Sequence, residues 1–326
     1  MQHSHHSSGN MLTMGLLIIF LIFVLINSIL PFNESSISSF QQLNTIFLSI
    51  LIEAIPFVLI GVLISGFIQI FITEDHIRAW IPKNKAKAVF MSCVVGSLFP
   101  ACECGIVPIV RRLISKGVPL YAGIGFLLTG PLINPIVILS TYMAFGNDFR
   151  MALMRMGIGF IAAFVIAFII GILFNSNQLK HKEPSTLKKE ESIFNRVKGM
   201  LHHSVDEFFD MSKYLIIGAF VASALQVYVS MQSFLLFEDN IFYTSFVMMG
   251  LAYFLSLCSE ADAFIGASFR NLFPSTSILA FLVYGPMIDL KNTIMLLSVF
   301  KAKFVFILFI LITSIVFIFV HLTTFI

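Results

Sequence analysis

Two thiols and one carboxylate stand side by side in this chain, at Cys102, Glu103 and Cys104. Thiolates are soft ligands that suit copper(I), zinc or trivalent metalloids. Because a structural metal site usually has four ligands, this segment alone forms an incomplete site. Cys258, much later in the chain, is a candidate for a third thiol. We therefore predict that Cys102 and Cys104 are metal ligands, and that they bind substrate together with Glu103 and Cys258.

Two Gly-Pro pairs predict interrupted helices. Each proline removes a hydrogen bond from its helix and leaves carbonyl groups free to face a ligand or an ion. A polar residue follows three residues later in both cases, which favours a binding site over a simple packing kink. The residues of the two breaks are Gly130, Pro131 and Asn134 in one and Gly285, Pro286 and Asp289 in the other. We predict that Asn134 and Asp289 bind substrate.

Acidic residues fall inside apolar stretches at Glu53, Glu103, Glu260, Asp262 and Asp289. A carboxylate at the centre of a spanning helix costs on the order of 3 kcal/mol on insertion scales, so such residues usually face a cavity and a partner. A carboxyl group removed from water also holds a proton more readily. We predict that Glu103, Glu260 and Asp262 couple transport to protons, and that Glu260 also binds substrate. For Glu53, function and simple ion pairing stay equally open.

The composition indicates that membrane-spanning helices must position these residues. Of 326 residues, 58% are hydrophobic and 11% are charged, about half the charged share of an ordinary soluble domain. Apolar runs of about 20 residues, long enough to cross hydrocarbon, recur along the chain. The longest polar stretch, 175–198, is too short for a soluble domain. The sequence therefore predicts an all-α polytopic membrane protein whose site lies among its membrane helices.

Charge placement predicts that the apolar stretch 88–114 is a re-entrant hairpin. Both groups of basic residues around it should be cytoplasmic, and a single crossing cannot place both there. A turn between Pro100 and Gly105, where proline and glycine interrupt the helix, solves this conflict. Such backbone is tolerated only where it is buried in protein or lines a wet cavity. The flanking residues are Arg78, Lys83, Lys85 and Lys87 before the stretch and Arg111, Arg112 and Lys116 after it.

The same rule makes the stretch 241–269 a hairpin that enters from outside, with its turn near 256–262. Lys291, Lys301 and Lys303 are then predicted to be cytoplasmic. The loops predicted to hold Arg150, Arg155 and Arg270 are the exceptions to the rule.

Internal similarity predicts two repeats. Matching residues recur at a nearly constant spacing: Glu103 matches Glu260, 157 residues later, and the break at 129–134 matches 284–289, 155 residues later. We divide the chain into a tail with an extra helix (1–43), repeat 1 (44–174), a basic cytoplasmic linker (175–204) and repeat 2 (205–326). Each repeat holds three crossings and one hairpin, so the two repeats are inverted across the membrane, as in many secondary transporters.

These motifs resemble the bacterial predicted permeases of the YraQ and ArsP type. The resemblance rests on Phe-Pro-x-Cys-x-Cys-Gly at 99–105, followed by Pro108, and on Thr-Gly-Pro-x-x-Asn-Pro at 129–135 with its half-copy at 284–289. It covers about residues 44–325. It implies a permease in the bacterial inner membrane. Some members are linked to export of trivalent organoarsenicals, and if that carries over, Cys102 and Cys104 are the candidate thiol ligands. Repeat 2 lacks a Cys-x-Cys segment, which excludes a symmetric four-thiol site.

We therefore predict a secondary transporter that exports a soft metal or metalloid, with a small molecule or ion as substrate and the lipid bilayer as its surroundings. A permease for another small solute stays open, as does a membrane thiol–disulfide oxidoreductase that uses Cys102 and Cys104. No nucleotide-binding loop and no quinone, haem or flavin motif is recognisable, so we expect no cofactor and no enzyme activity. Nucleic acid is not an expected partner, and the sequence predicts no oligomeric state.

Overall fold

The computed structural model describes residues 34–71, 81–174, 176, 178–180, 193–228 and 240–323. The predicted first helix at 14–30 and most of the predicted linker lie outside the described residues. The same holds for Arg78.

The described residues form the same order of helices twice. A long helix comes first, then two short helices joined by a turn, then a helix broken near its middle, and then an unbroken helix. In repeat 1 these are α1 (Glu34–Phe71), α2 (Lys85–Leu98), α3 (Glu103–Ser115), α4 (Leu120–Ile133), α5 (Pro135–Ala144) and α6 (Phe149–Leu173). In repeat 2 they are α7 (Ile193–Tyr228), α8 (Ile241–Leu255), α9 (Ser259–Ser268), α10 (Ser275–Met287), α11 (Leu290–Val299) and α12 (Ala302–Leu322).

Six described segments are long and apolar enough to cross a membrane: Ser39–Gln69, Leu120–Ala144, Phe149–Leu173, Gly199–Tyr228, Ser275–Val299 and Ala302–Leu322. Each broken helix counts as one of these crossings. The protein is therefore an all-α multi-pass membrane protein, as predicted.

The first hairpin, formed by α2 and α3, has both of its ends at one end of the helix bundle. Lys116, after α3, donates from Nζ to the carbonyl of Gln69 at the end of α1. Lys85, which begins α2, donates to the carbonyl of Gly171 at the end of α6. Since α1 and α6 finish at the same end of the bundle, α2 and α3 enter and leave there. The predicted re-entrant path is thus present.

The second hairpin, formed by α8 and α9, enters from the opposite end. Arg270, after α9, donates to the carbonyl of Phe145, which follows α5. Phe242, which begins α8, stacks on His321 near the end of α12, with ring centroids 4.5 Å apart. The crossings α4–α5 and α12 both finish at this end. The two hairpins therefore point towards each other, which is the arrangement that inverted repeats require.

The short helices of each hairpin all contact the broken helix that follows them, while α3 packs mainly on α1 and α9 also packs on α5 of the other repeat. In repeat 1, α4 contacts both α2 and α3, and in repeat 2, α10 contacts both α8 and α9. The broken helices are the most enclosed crossings. In their apolar stretches 78% and 83% of the residues are buried, against 33–39% in the other four crossings.

Both breaks are built in the same way. The side chain of Asn134 accepts a hydrogen bond from the N–H of Val137 at 2.9 Å. Asp289 Oδ1 accepts one from the N–H of Asn292 at 2.6 Å. Each polar residue thus caps the N-terminus of the helix after the break, where N–H groups otherwise lack partners.

Close contact between α1 and α3 depends on two glycines. A Cβ atom on Gly61 would overlap the carbonyl group of Gly105, and one on Gly105 would lie 2.7 Å from the carbonyl oxygen of Phe57. Gly157 faces open space, because a Cβ atom there would have no described neighbour within 4 Å. These glycines thus allow the backbone of α3 to contact the backbone of α1 directly.

We expect Gly61→Val to destabilise the protein by about 1–3 kcal/mol, because the added carbons force α1 away from α3. Gly157→Val is the matched control and should change the thermal midpoint in detergent much less. Equal effects of the two variants would show that the α1–α3 contact does not require a glycine.

Candidate functional site

A small cavity lies where the two hairpin turns meet. It has a volume of about 10 Å³, roughly the room that one water molecule needs. Its lining combines carboxylates, thiols and one lysine from four helices or their N-caps: Glu53 of α1, Cys102, Glu103 and Cys104 of the first hairpin, Cys258 of the second hairpin and Lys291 of α11. The side of the cavity formed by α1 is not sealed, since Glu53 and Phe57 are exposed. A solute larger than water fits only if the surrounding helices move apart.

The same local geometry brings a cysteine to the cavity from each hairpin. Cys102 and Cys258 are the N-caps of α3 and α9, with φ −77° in both and ψ 168° and 157°. Aligned on these caps, the repeats are offset by 156 residues. Glu103 therefore corresponds to Ser259, which corrects the predicted pairing of Glu103 with Glu260. Both thiols lie at helix N-termini, where the backbone favours negative charge.

The thiols contact one another and the nearby carboxylates. Cys102 and Cys104 lie near each other, and Cys258 lies near Glu53 and Glu260. Within the described part of the chain, no three His, Cys, Asp or Glu side chains come close enough to hold one metal ion. Three thiols line one cavity, but the structure does not test whether Cys102 and Cys104 bind a metal. Their role as metal ligands remains a prediction.

Lys291 connects the two repeats through buried charges. Its Nζ lies 3.0 Å from Glu103 Oε1 and 3.6 Å from Asp289 Oδ2. It also donates to the carbonyl of Ser256 at 3.1 Å. Since Lys291 is 3% exposed, its predicted cytoplasmic position is wrong. The positive-inside rule applies to lysines in loops. Lys291 instead lies just after a helix break inside the protein, where it neutralises Glu103 and Asp289.

A second buried polar cluster surrounds the start of α9. Arg155 donates from Nη1 to Thr141 Oγ1 at 2.7 Å and from Nη2 to the carbonyl of Ser259 at 3.1 Å. Asp262 lies close to this guanidinium group, but neither of its carboxylate oxygens has a hydrogen-bond partner among the described residues. Arg155 is 1% exposed inside α6, so its predicted place in a loop is wrong. Its breach of the charge rule was the signal that it is buried.

The other predicted binding residues lie outside the cavity lining. Asn134 uses its amide within the helix break, donating to the carbonyl of Gly130 at 3.1 Å as well as capping α5. Asp289 caps α11 with one oxygen and faces Lys291 with the other. Glu260 is partly buried beside Cys258. Their substrate-binding roles remain predictions.

This architecture, two inverted repeats whose hairpins meet at a polar cavity, defines a membrane permease. Residues 39–325 match the ArsP-type family, which is described as predicted permease. YcgR of Bacillus subtilis (strain 168), a UPF0718 protein, is 52% identical over 273 residues, which are 83% of this chain and 93% of that protein.

A Streptococcus mutans protein, named as a candidate subunit of a two-component membrane permease complex, is 42% identical over 271 residues. These are 82% of this chain and 90% of that protein. No solved structure matches the chain significantly. The chain belongs to this family of predicted permeases.

We expect Lys291→Met to lower the free energy of unfolding by about 3–5 kcal/mol, because it leaves the carboxylates of Glu103 and Asp289 buried without their cation. Lys301→Met, at an exposed position, is the control. Adding Glu103→Gln to Lys291→Met should restore part of the loss in a double-mutant cycle of thermal midpoints. Strictly additive effects would contradict a direct interaction.

Proposed function

We propose that the protein is a secondary transporter in which the two hairpins alternately open the central cavity to the two sides of the membrane. The observation that supports this most is the meeting of two oppositely directed hairpins at one small cavity whose lining includes thiols, carboxylates and a lysine. Because each hairpin belongs to one repeat, moving one repeat against the other opens one side and closes the other. The basic residues near the ends of the first hairpin indicate a plasma-membrane orientation with that hairpin entering from the cytoplasm.

The cavity lining favours a soft, electron-accepting substrate. Cys102, Cys104 and Cys258 offer thiols, which bind trivalent metalloids and soft metal ions better than hard cations. The three thiols come from both hairpins, so one substrate ion can bind all three only if the two hairpin turns move closer together. Together with the family resemblance, this supports export of a soft metal, a metalloid or a trivalent organoarsenical.

The test is equilibrium binding of phenylarsenite, zinc and copper(I) to the purified protein in detergent under reducing conditions. We expect stoichiometric binding of at least one probe to the wild type and its loss in Cys102→Ser/Cys104→Ser. Cys93→Ser is the matched control, since Cys93 is buried on α2 away from the cavity. Binding that is equal in all three proteins, or absent from the wild type, would refute the thiol site and leave a permease for another solute.

A thiol–disulfide oxidoreductase is the second candidate, favoured by the presence of Cys102 and Cys104 side by side in the lining of one cavity. A Cys-x-Cys disulfide closes a small, strained ring and is easily reduced. Mass spectrometry of the protein at controlled redox potentials separates the two functions. Reversible formation of this disulfide near the cellular potential would support the oxidoreductase, whereas persistent thiols would support the transporter.

The Streptococcus mutans relative's name also suggests a second subunit for this chain. Blue-native electrophoresis of a tagged protein, expressed from its own genomic context and again alone, tests this. A reproducible second component in defined stoichiometry would support a two-component permease, and an unchanged mass would count against it.

A further inference from the structure

Asp262 occupies a position that repeat 1 fills with a hydrocarbon side chain. Counting four residues from the N-caps Cys102 and Cys258, Asp262 corresponds to Ile106. Ile106 packs its Cδ1 against Gly130 of the first Gly-Pro pair. Gly285, of the second pair, faces Asp262 in the same way, since a Cβ on Gly285 would lie 2.8 Å from Asp262 Oδ2.

The surroundings of the Asp262 carboxyl group are therefore built for an uncharged group. Asp262 is 1% exposed, and within the described part of the chain neither of its oxygens has a hydrogen-bond partner. The Cβ of Ala252 and the backbone of Gly285 adjoin the same space. An ionised carboxylate without contacts is strongly disfavoured in such a place, whereas a protonated carboxyl group is tolerated.

Arg155 is the nearby cation that could balance an ionised Asp262, but two of its three nitrogens donate to other groups. Nη1 and Nη2 hold Thr141 of α5 and the carbonyl of Ser259 at the start of α9. Its Nε is buried and has no hydrogen-bond partner in the described ranges. The guanidinium group thus fastens the second hairpin to the crossings of repeat 1 while remaining close to Asp262.

Other ionisable groups around Asp262 come from several helices. On its own helix, Glu260 is partly buried. The two helices that pack on α9 contribute tyrosines: Tyr142 of α5, which packs on Phe149, and Tyr284 of α10, whose hydroxyl group contacts Thr313. The longer-range charges are Glu103, Asp289 and Lys291, and Lys291 contacts the first two directly.

We propose that Asp262 is the proton-carrying residue of the permease and that its ionisation competes with the second hairpin for Arg155. When Asp262 is protonated, Arg155 holds the carbonyl of Ser259 and the hairpin stays closed. When the proton leaves to water, the carboxylate draws Arg155 away from Ser259, and the start of α9 is released. One proton bound or released thereby accompanies closing or opening of the second hairpin. This inference rests on the proposed transport function only for its link to a substrate.

Infrared spectroscopy of the purified protein with ¹³C-labelled aspartate tests the protonated carboxyl group without any substrate. We expect an isotope-shifted carboxylic acid band in the wild type near neutral pH, lost in Asp262→Asn and retained in Glu260→Gln. Asp262→Ile, which copies repeat 1, is the second variant and should fold and also lack the band. Absence of the band from the wild type, or its persistence in both Asp262 variants, would overturn the proposal.

Transport into proteoliposomes provides the second readout, with phenylarsenite as the probe. We expect an imposed pH gradient to accelerate transport by the wild type and to have no effect on Asp262→Asn, while phenylarsenite binding to the thiols is unchanged. Acceleration by a sodium gradient alone, or equal acceleration of both proteins by the pH gradient, would overturn the role of Asp262. Failure of the proposed substrate would appear as loss of binding, with the infrared band intact.

Discussion

The contact between Lys291 and the carboxylate of Glu103 holds the centre of the protein together. These groups belong to different repeats, and both are withdrawn from water. In such surroundings neither charge is stable alone, so separating the first hairpin from α11 requires each charge to find another partner. Lys291 thereby joins the first hairpin to Asp289 beside the cavity.

The two repeats solve the same electrostatic problem with different cations. At the first hairpin, the cation is Lys291, which lies on the broken helix of repeat 2. It contacts Glu103 of the hairpin and Asp289 of its own helix directly. At the second hairpin, Arg155 arrives from α6 and binds neutral oxygens of Thr141 and Ser259. The first arrangement is a tight ion pair, whereas the second has a cation whose hydrogen bonds go to neutral groups although an acid lies nearby. The inverted repeats thus combine one contact between opposite charges with one contact between a cation and neutral oxygens.

The Gly-Pro breaks provide the space for this arrangement. Each proline lies in a helix that ends in the bundle interior, and Asn134 or Asp289 then caps the next helix within the protein. The glycine before each proline receives a side chain of the neighbouring hairpin, Ile106 in repeat 1 and Asp262 in repeat 2. The same backbone therefore accepts either an apolar or an ionisable group at this position.

The sequence by itself determined the helical membrane fold, the hairpins, the two breaks and the repetition, because apolar length, proline, glycine and loop charge act locally along the chain. It also identified Cys102, Glu103, Cys104 and Cys258 as residues of one region. Only the tertiary structure decided where the buried cations Lys291 and Arg155 lie and which groups they contact. A lysine in a membrane protein is indistinguishable in sequence whether it faces the cytoplasm or an acid of another repeat, since its partner is set by packing over 188 residues of chain. For the same reason, the structure alone revealed that Asp262 lies close to Arg155 while the guanidinium group donates to Thr141 and Ser259.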